Sequence, residues 1–462
     1  TTWTDHAETI KRFPVGAWIP QIQVSPHDPD EVYVVVNDYR RNNWQPYLYR
    51  TMDGGTSWVR LVLETGEVTG HALSVVQDPE EASLLFLGTE EGLFISFDRG
   101  ANWKRWTHEV PSVPVRDMVI HPRDGDLILG TFGRAAYVID DIDPLRALAS
   151  DGNGMLNESL RLFAIPDAYQ VNFRRHVGAR FPADHYWSGE NYRGGVRMQW
   201  YIHPDTADAY EGEELLWAVL DARGDTVRNG SKTADAGIQD MRWRFDTNGM
   251  DWPRRAIKKK KDQPSGGGPD VLPGVYTVQL ALGEHRAEAD VVVHPDPRVP
   301  YDQKAHEMRR LHQQVVMEAV KPISIGMDQI QRALATIEVV EQELKWIPDS
   351  LKKDAKTLAD SLKSTLREVE EIYTEPRDFK GIESVTERLS SVMWTAFSIN
   401  GGKDAPGGNA MRALERLHEG ASSFVKAVDD AMTGVWVDWL EAVEAIDRSP
   451  GRLYEAAGEQ EE

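Results

Sequence analysis

The sequence predicts a multidomain protein, all-β in its first two parts and all-α in its last. Three observations predict this fold class. A short motif recurs at the period of a β-propeller blade, alternating strands bounded by turn residues follow it, and apolar residues near the C-terminus recur every three or four positions. Because strands precede helices instead of alternating with them, we expect separate domains at 1–150, 151–300 and 301–462, the last ending in a polar tail.

The first part contains an internal repeat. The stretch Thr51–Trp58 recurs as Ser96–Trp103, with 45 positions between Asp53 and Asp98. A degenerate third copy, Val138–Asp141, follows about one period later. A repeat of roughly 40–45 residues with four short strands is typical of a propeller blade, the general class of WD40 and YVTN-like repeats.

Within the first repeat we assign four strands, which are Ile19–Val24, Val32–Val36, Tyr47–Thr51 and Ser57–Val62. Three such units do not close a ring, because propellers need about four to eight blades. We therefore expect further blades from polypeptide preceding Thr1 or from a companion chain.

The repeated stretch has the form S/T-x-D-x-G-x-T/S/N-W, the Asp-box of BNR-type blades. In this unit the aspartate accepts hydrogen bonds from turn amides, glycine permits an unusual φ, and tryptophan packs between blades. We favour this structural role over a catalytic one for the motif residues. They are Asp53, Gly55, Trp58, Asp98, Gly100 and Trp103.

The second part is predicted to be a β-sandwich. Leu215–Asp221, Met241–Asp246 and Pro273–Leu280 alternate as strands do, and Asp290–His294 closes the domain. Between these strands a lysine-rich and glycine-rich stretch, 258–268, is predicted to be a solvated loop. An anion-binding role is the alternative, although no strand–helix context makes it a phosphate loop.

The third part is predicted to be an antiparallel bundle of four amphipathic helices. We place helices over Gln303–Leu344, with a bend at Pro322, and over Ile382–Ile399. Apolar stripes define the other two and are interpreted as core: Leu351, Ala355, Leu358, Leu362, Leu366, Val369 and Ile372, and then Leu414, Leu417, Ala421, Phe424, Val428, Ala431 and Val435. In the last helix, Trp436 and Trp439 either cap the core or meet a partner.

Composition excludes several classes of function. The 52 basic and 74 acidic residues give a net charge of −22, which repels nucleic acid and anionic lipid. Cysteine is absent, so disulfides, thiolate nucleophiles and cysteine-ligated metals are excluded. No apolar run reaches the roughly 20 residues of a spanning helix. The chain shows no signal peptide and starts at Thr1, so we expect a removed leader or a longer polypeptide.

The chain resembles the large bacterial VPS10/sortilin-like, BNR-repeat proteins that are often labelled "glycosyl hydrolase". The stretches that carry the resemblance are Trp44–Thr51, Val113–Asp117, Gly130–Arg134, Asp140–Leu145, Gly189–Asn191, Gly274–Val278 and Asp296–Arg298. The middle part also resembles the FlgD-type Ig-like module. The resemblance implies an exported protein with further blades, located in the periplasm, at the cell surface or outside a bacterium. It implies no particular activity.

Candidate functional residues gather where the loops opposite the Asp-box turns converge. Arginine forks suit carboxylate or sulfate groups, so a binding surface is predicted from Arg40, Arg41, His71, Glu90, Arg116 and Arg134. A sialidase-like hydrolase is the alternative, with catalytic candidates Asp38, Tyr39, Arg116 and Asp117. Such an enzyme needs three arginines on one carboxylate beside a tyrosine nucleophile, whereas paired arginines indicate binding.

Every strong motif is architectural, so the leading hypothesis is a non-catalytic binding or scaffold protein. The propeller face is expected to take a protein, peptide or glycan partner, without nucleic acid and without a membrane span. A subunit of a cell-surface assembly is a further alternative. No cofactor is expected. Calcium is the one metal considered, at Asp140, Asp141 and Asp143, where turn hydrogen bonding is the alternative role.

Overall fold

The computed structural model describes residue 6 and residues 9–63, 66–152, 154–171, 194–256, 266–376, 387–398 and 404–446. The tetralysine of the predicted loop, Gly189–Asn191 and the polar tail after residue 446 lie outside these ranges, as does 382–386 of one predicted helix.

Three antiparallel sheets follow one another in the first part of the chain. The first contains β1 Trp18–Val24, β2 Val32–Asp38, β3 Asn43–Thr51 and β4 Val59–Arg60. The second contains β5 Ala72–Gln77, β6 Leu85–Thr89, β7 Gly92–Ser96 and β8 Lys104–Trp106. The third contains β9 Val115–Ile120, β10 Leu127–Thr131 and β11 Ala136–Ile139. In each sheet neighbouring strands pair in chain order, so every sheet is a meander.

The three sheets pack side by side through apolar faces. Tyr33 and Leu48 of the first sheet share a core with Leu87, Phe94 and Trp103 of the second. The second sheet shares its other face with the third, through residues that include Phe86, Ile95, Val115 and Leu129. The outer face of the first sheet is covered in part by Ile10 and Phe13. The alternation of apolar residues along the strands thus places a core on both faces of the middle sheet.

The third repeat departs from the predicted four strands. Instead of a fourth strand it continues into helix α1, Asp143–Ser150, with Pro144 in its first turn and Leu145 and Leu148 buried. Proline fits the first turn of a helix, and the degenerate copy lacks the glycine and tryptophan that shape the other two turns. The fourth strand of the first repeat is also shorter than predicted, since only Val59–Arg60 pairs.

Two further sheets form the middle part, with a short helix α2 at Pro204–Ala209. A three-stranded sheet has the order β12 Leu160–Leu162, β14 Val196–Ile202, β17 Gly237–Trp243. A five-stranded sheet has the order β13 Ala168–Gln170, β21 His285–Pro295, β20 Gly274–Leu282, β15 Glu214–Leu220, β16 Thr226–Thr233. β13 runs parallel to β21. Trp243 and Met198 of the smaller sheet are buried against Val278 and Val291 of the larger, so the sheets share one core.

The predicted glycine-rich loop is partly a strand. β18 Asp246–Asn248 pairs with β19 Gly267–Asp270, and the glycines let the two backbones approach closely.

Five helices are described in the last part: α3 Gln303–Leu344, α4 Asp349–Tyr373, α5 Leu389–Ser398, α6 Gly408–Thr433 and α7 Val435–Glu444. α3 continues through Pro322. The predicted stripe from Leu414 to Val435 spans two helices, because the chain breaks at Gly434. Ile372, predicted as core, is exposed. Within the described ranges, no helix has the length and apolar content required to cross a membrane.

The segment 249–256 joins the β part to the helices. Trp252 stacks on Trp394 of α5 with ring centroids 5.4 Å apart, and Arg255 pairs with the buried Glu370 of α4. Gln331 of α3 donates a hydrogen bond of 2.9 Å to the same carboxylate. Together, the Glu370 contacts and the Trp252–Trp394 stack join α3, α4 and α5 to the 249–256 segment.

Candidate functional site

The loops at one end of the strands of the first two sheets lie together, and a loop of the third sheet lies beside them. The β2–β3 connection is a 3-10 turn over Tyr39–Arg41, and the loop before β5 supplies His71. Asn37 is buried at this junction and donates a hydrogen bond to the carbonyl of Ala72, 3.2 Å away. The imidazole of His71 also lies 3.6 Å from the Glu90 carboxylate, in the β6–β7 turn. Residues distant in sequence therefore form one surface.

An aromatic stack forms the centre of this surface. The rings of Tyr39 and His71 are 4.7 Å apart and nearly parallel, at 20°. Trp44, in β3, is tilted against both rings at 6.1 and 5.8 Å. Its indole nitrogen donates to the side-chain oxygen of Asn42 at 3.0 Å, which fixes the ring.

Arg40 extends the stack toward β1. Its guanidinium lies 4.7 Å from the ring of Trp18 and 5.7 Å from that of Tyr39. Trp18 is 50% exposed and Trp44 is 56% exposed. Two large indoles are thus open to solvent beside a positive charge, and we call Trp18, Tyr39, Arg40, Trp44 and His71 the aromatic–arginine surface.

Two further predicted arginines, Arg41 and Arg116, contact groups of their own. Arg41 donates 2.6 Å hydrogen bonds to the Asp38 carboxylate and to the carbonyl of Val15. Arg116 lies over the ring of Phe132, 5.1 Å from its centroid. The guanidinium groups of Arg41 and Arg116 therefore lie against different neighbours.

Two other candidates lie in the third sheet without joining the stack. Asp117 is exposed on β9, opposite Gly130, and Arg134 is exposed in the β10–β11 connection. Asp38 is held by Arg41 and not placed against Tyr39 as a partner for a nucleophile.

His71 differs from the expectation that it is a surface ligand-binding group. It is 3% exposed and supports the ring of Tyr39 from below. Burial lowers the pKa of His71, an effect that Glu90 opposes and Arg116 reinforces. Its Nδ1 atom is buried with no hydrogen-bond partner in the described part of the chain. The neutral imidazole is therefore the form that this site stabilises.

The opposite edge of the sheets carries the repeated aspartate turns. The Asp53 carboxylate accepts hydrogen bonds from the amide and hydroxyl of Ser57 and from the Thr51 hydroxyl, at 2.6–2.8 Å. These bonds lower the pKa of Asp53 to about 2. Asp98 is bound in the same way by Asn102 and Ser96. Each carboxylate is engaged in closing its own turn.

The acidic run considered for calcium has a different arrangement. The side chain of Asp143 pairs with Arg146 at 2.7 Å, and Asp141 accepts a hydrogen bond from the Asp143 amide at 3.3 Å. Among the residues that the structure describes, no group of three or more His, Asp or Glu side chains is arranged to hold a metal ion.

Sequence reasoning did not single out Trp18, Trp44 or Phe132 as surface groups. Aromatic residues in strands are normally assigned to the core, so the sequence pattern gave no indication that these side chains are exposed. Trp44 follows Asn42, whose positive φ of 61° ends the 3-10 turn, and that turn directs the indole outward.

No protein-family profile matches the chain. A curated relative, vacuolar protein sorting/targeting protein 10 of Aspergillus clavatus, is 29% identical over 153 residues. That alignment covers 28% of this chain and 10% of the relative, so the chain spans a small part of that protein's length.

Solved structures with some similarity include two GH74 proteins. The Niastella koreensis GH74 enzyme is 14% identical with a TM-score of 0.24, and the alignment covers 59% of this chain and 46% of that one. The GH74 xyloglucanase of Xanthomonas campestris is 14% identical with a TM-score of 0.22, covering 63% and 40%. PorZ, a surface component of the type-IX secretion system of Porphyromonas gingivalis, is 10% identical with a TM-score of 0.15, covering 60% and 51%. The chain spans less than half of either GH74 structure.

Proposed function

We propose that this chain is part of an exported, non-catalytic binding protein that engages a glycan at the aromatic–arginine surface. The observation that carries the proposal is the pair of half-exposed indoles, Trp18 and Trp44, on either side of the Tyr39–Arg40 turn. Large apolar side chains left open on a surface with polar neighbours mark interaction sites.

The chemistry of this surface suits a sugar. Indole faces are flat and apolar, so they stack on the C–H faces of pyranose rings, while polar groups beside them bond to hydroxyls. Arg40 supplies N–H donors between the two indoles, and Glu90, which is 39% exposed, supplies an acceptor nearby. Trp18 and Trp44 lie on different strands of one sheet, so an extended ligand is favoured over a single sugar.

The partners of the arginines support binding without turnover. A hydrolase acting on an acidic glycan needs free guanidinium groups around one carboxylate, whereas Arg41 is bound to Asp38 and Arg116 to Phe132. These contacts support a binding role, and the product analysis described next tests the catalytic alternative.

The test is calorimetric titration of the purified chain with neutral and acidic hexasaccharides, with product analysis of the same mixtures. We expect binding of at least one oligosaccharide without hydrolysis. Trp18→Ala and Trp44→Ala should each weaken binding at least tenfold. Trp346→Ala is the matched control, because this indole is 88% exposed at the distant end of α3.

Two results would contradict the proposal. Hydrolysis that disappears in Asp38→Ala or Arg116→Ala would favour the enzyme. Affinity that falls as much in Trp346→Ala as in Trp18→Ala would place the ligand elsewhere.

We propose further that the three meander sheets are consecutive blades of a β-propeller whose other blades come from upstream polypeptide or a companion chain, followed by an Ig-like sandwich and a helical bundle. Both outer faces of the three-sheet unit support this, because apolar strand residues remain exposed on each. Ile22 and Val24 are 64% and 55% exposed on the first sheet, and Val119 and Val138 are 57% and 52% exposed on the third.

Lysine substitutions test these outer faces. In the complete protein, Val119→Lys with Val138→Lys should lower the melting temperature by several degrees. The same pair should leave the melting temperature of this chain alone nearly unchanged. Equal effects in both would mean that no further blade packs there.

A further inference from the structure

A second cavity lies away from the aromatic–arginine surface, between the third sheet and the sheet β12–β14–β17. Its volume is about 310 Å³, at the lower end of the roughly 300–1,000 Å³ of small-molecule pockets. The 106–110 segment, β11 with the loop after it, and strands β14 and β17 form its walls. None of the residues of the aromatic–arginine surface lines this cavity, so an inference about it is independent of the glycan proposal.

Aromatic and aliphatic side chains form part of the wall. Trp106 and Tyr137 line the cavity together with Ile238. The indole nitrogen of Trp106 donates a 2.9 Å hydrogen bond to the carbonyl of His108, and the two rings meet edge to face at 6.3 Å. These contacts hold the indole in one orientation.

Charge in the cavity is unbalanced toward the negative. The acidic lining residues are Glu109, Asp140, Asp141 and Asp240. Arg197 is the lining arginine, and its Nε atom lies 3.2 Å from the Asp240 carboxylate. In the ranges that the structure describes, no cation lies within ion-pair distance of Glu109, Asp140 or Asp141.

Among the lining carboxylates, Asp141 has a raised pKa. Burial, with the neighbouring Asp143, raises the pKa of Asp141 to about 6, although Arg197 opposes the rise. Desolvation disfavours the charged form of a carboxylate, and a bound cation stabilises that form.

We propose that this acidic–aromatic cavity binds an organic cation, the primary ammonium or guanidinium group of a basic side chain. The carboxylates of Asp140 and Asp141 supply charge-assisted hydrogen bonds, and the Trp106 and Tyr137 rings supply faces for a cation and its aliphatic stem. The aromatic part of the lining suits an aliphatic stem and distinguishes this ligand from a bare metal ion, for which no side-chain cluster exists in the described residues.

Titration calorimetry at pH 7.5, where Asp141 is charged, tests the proposal with Nα-acetyl-lysine amide. Nα-acetyl-glutamine amide is the neutral probe. We expect the lysine probe to bind at least tenfold more tightly than the glutamine probe. Asp141→Asn and Trp106→Ala should each weaken the lysine probe at least fivefold.

The variants are chosen to keep the fold. Asp141 has a φ of 55°, a conformation that asparagine tolerates well, so Asp141→Asn preserves the loop. Asp354→Asn, on the exposed face of α4, is the matched control and should bind like the parent. Circular dichroism and the melting temperature establish that each variant is folded.

Two sources of the cation are separated by a further pair of probes. Tighter binding of Gly-Lys-Gly than of 1,4-diaminobutane identifies a polypeptide side chain, and the reverse order identifies a free amine. Equal affinity for the lysine and glutamine probes would overturn the proposal, as would an Asp141→Asn variant that binds like the parent.

Discussion

The imidazole of His71 lies flat against the phenol ring of Tyr39, with the ring centroids 4.7 Å apart. This contact joins the loop before β5 to the turn after β2, and so fixes the first sheet against the second at the edge that carries the exposed indoles. His71 is buried, whereas Trp18 and Trp44 are exposed to solvent. The histidine therefore packs beneath the surface, and the indoles are the side chains that a ligand can contact.

Acid should weaken this support. Burial lowers the pKa of His71, so the unfolded chain, where histidine titrates at about 6.5, binds a proton before the folded chain does. The contribution of His71 is intact above about pH 6.5 and is lost as the pH falls through its folded pKa. Melting temperatures from pH 7.5 to 5 should fall less steeply in His71→Gln than in the parent. The exposed His418→Gln is the control and should keep the parental slope.

Asp141 should show the opposite dependence. Its pKa is raised from 3.8 to about 6, so the folded chain holds the proton more tightly than the unfolded one. The penalty for ionising it is therefore complete above about pH 6 and absent below about pH 4, and a rise of this size corresponds to about 3 kcal/mol at most. Asp141→Asn should stabilise the chain at pH 7.5, and its advantage should shrink as the pH falls to 4. An equal advantage at both pH values would contradict the raised pKa of Asp141.

The second aspartate turn should be a stability element. The Asp98 carboxylate accepts hydrogen bonds from the Asn102 amide, the Asn102 side chain and the Ser96 hydroxyl, at 2.7–2.9 Å. Asp98→Ala removes these hydrogen bonds from an exposed turn, and should lower the free energy of unfolding by about 0.5–1.5 kcal/mol. Denaturant unfolding measures this, with the exposed Glu67→Ala as control. Oligosaccharide binding at the opposite edge should survive. Loss of that binding in a folded variant would indicate a functional role for the turn.

Packing between the second and third sheets should depend on Gly88. A β-carbon at this position of β6 would lie 2.5 Å from the carbonyl oxygen of Val115 in β9 and 2.4 Å from the Ser74 hydroxyl. Gly88→Ala must push the sheets apart, and overpacking of this kind costs about 1–3 kcal/mol. Thermal unfolding measures the effect. Gly274→Ala is the control, because its nearest neighbour would be 4.0 Å away, and unchanged stability in both variants would contradict the close approach.

The joint between the β part and the helices should depend on Glu370. This carboxylate is 2% exposed and is bound by Gln331 and Arg255. Glu370→Ala removes the carboxylate that accepts from Gln331 and pairs with Arg255, and should cost about 3 kcal/mol. Urea unfolding measures the change, with the exposed Glu368→Ala on the same helix as control. A change below about 0.5 kcal/mol would show that the joint contributes little to stability.

Patterns among near neighbours in the sequence were enough to predict most local elements. The period of the Asp53 and Asp98 turns, the alternation in residues 32–36 and the stripe from Ala355 to Val369 indicated the elements that are observed, because each pattern depends on near neighbours in the chain. Where these predictions were wrong, single residues in the chain were also the cause. In the third repeat, Pro144 and the apolar residues after it replaced a predicted strand with α1, and Gly434 divided one predicted helix into two.

The contacts between side chains that are distant in sequence could be read only from the folded chain. Tyr39 and His71 are 32 positions apart, and Asp141 and Arg197 are 56 apart, so no local period relates them. Exposure of Trp18 and Trp44, burial of His71 and the charge imbalance around Asp141 all follow from how the sheets pack, since desolvation and Coulomb interactions depend on distance in space and not on separation in sequence. The repeats were therefore predictable from the residues alone, whereas both proposed ligand sites required the fold.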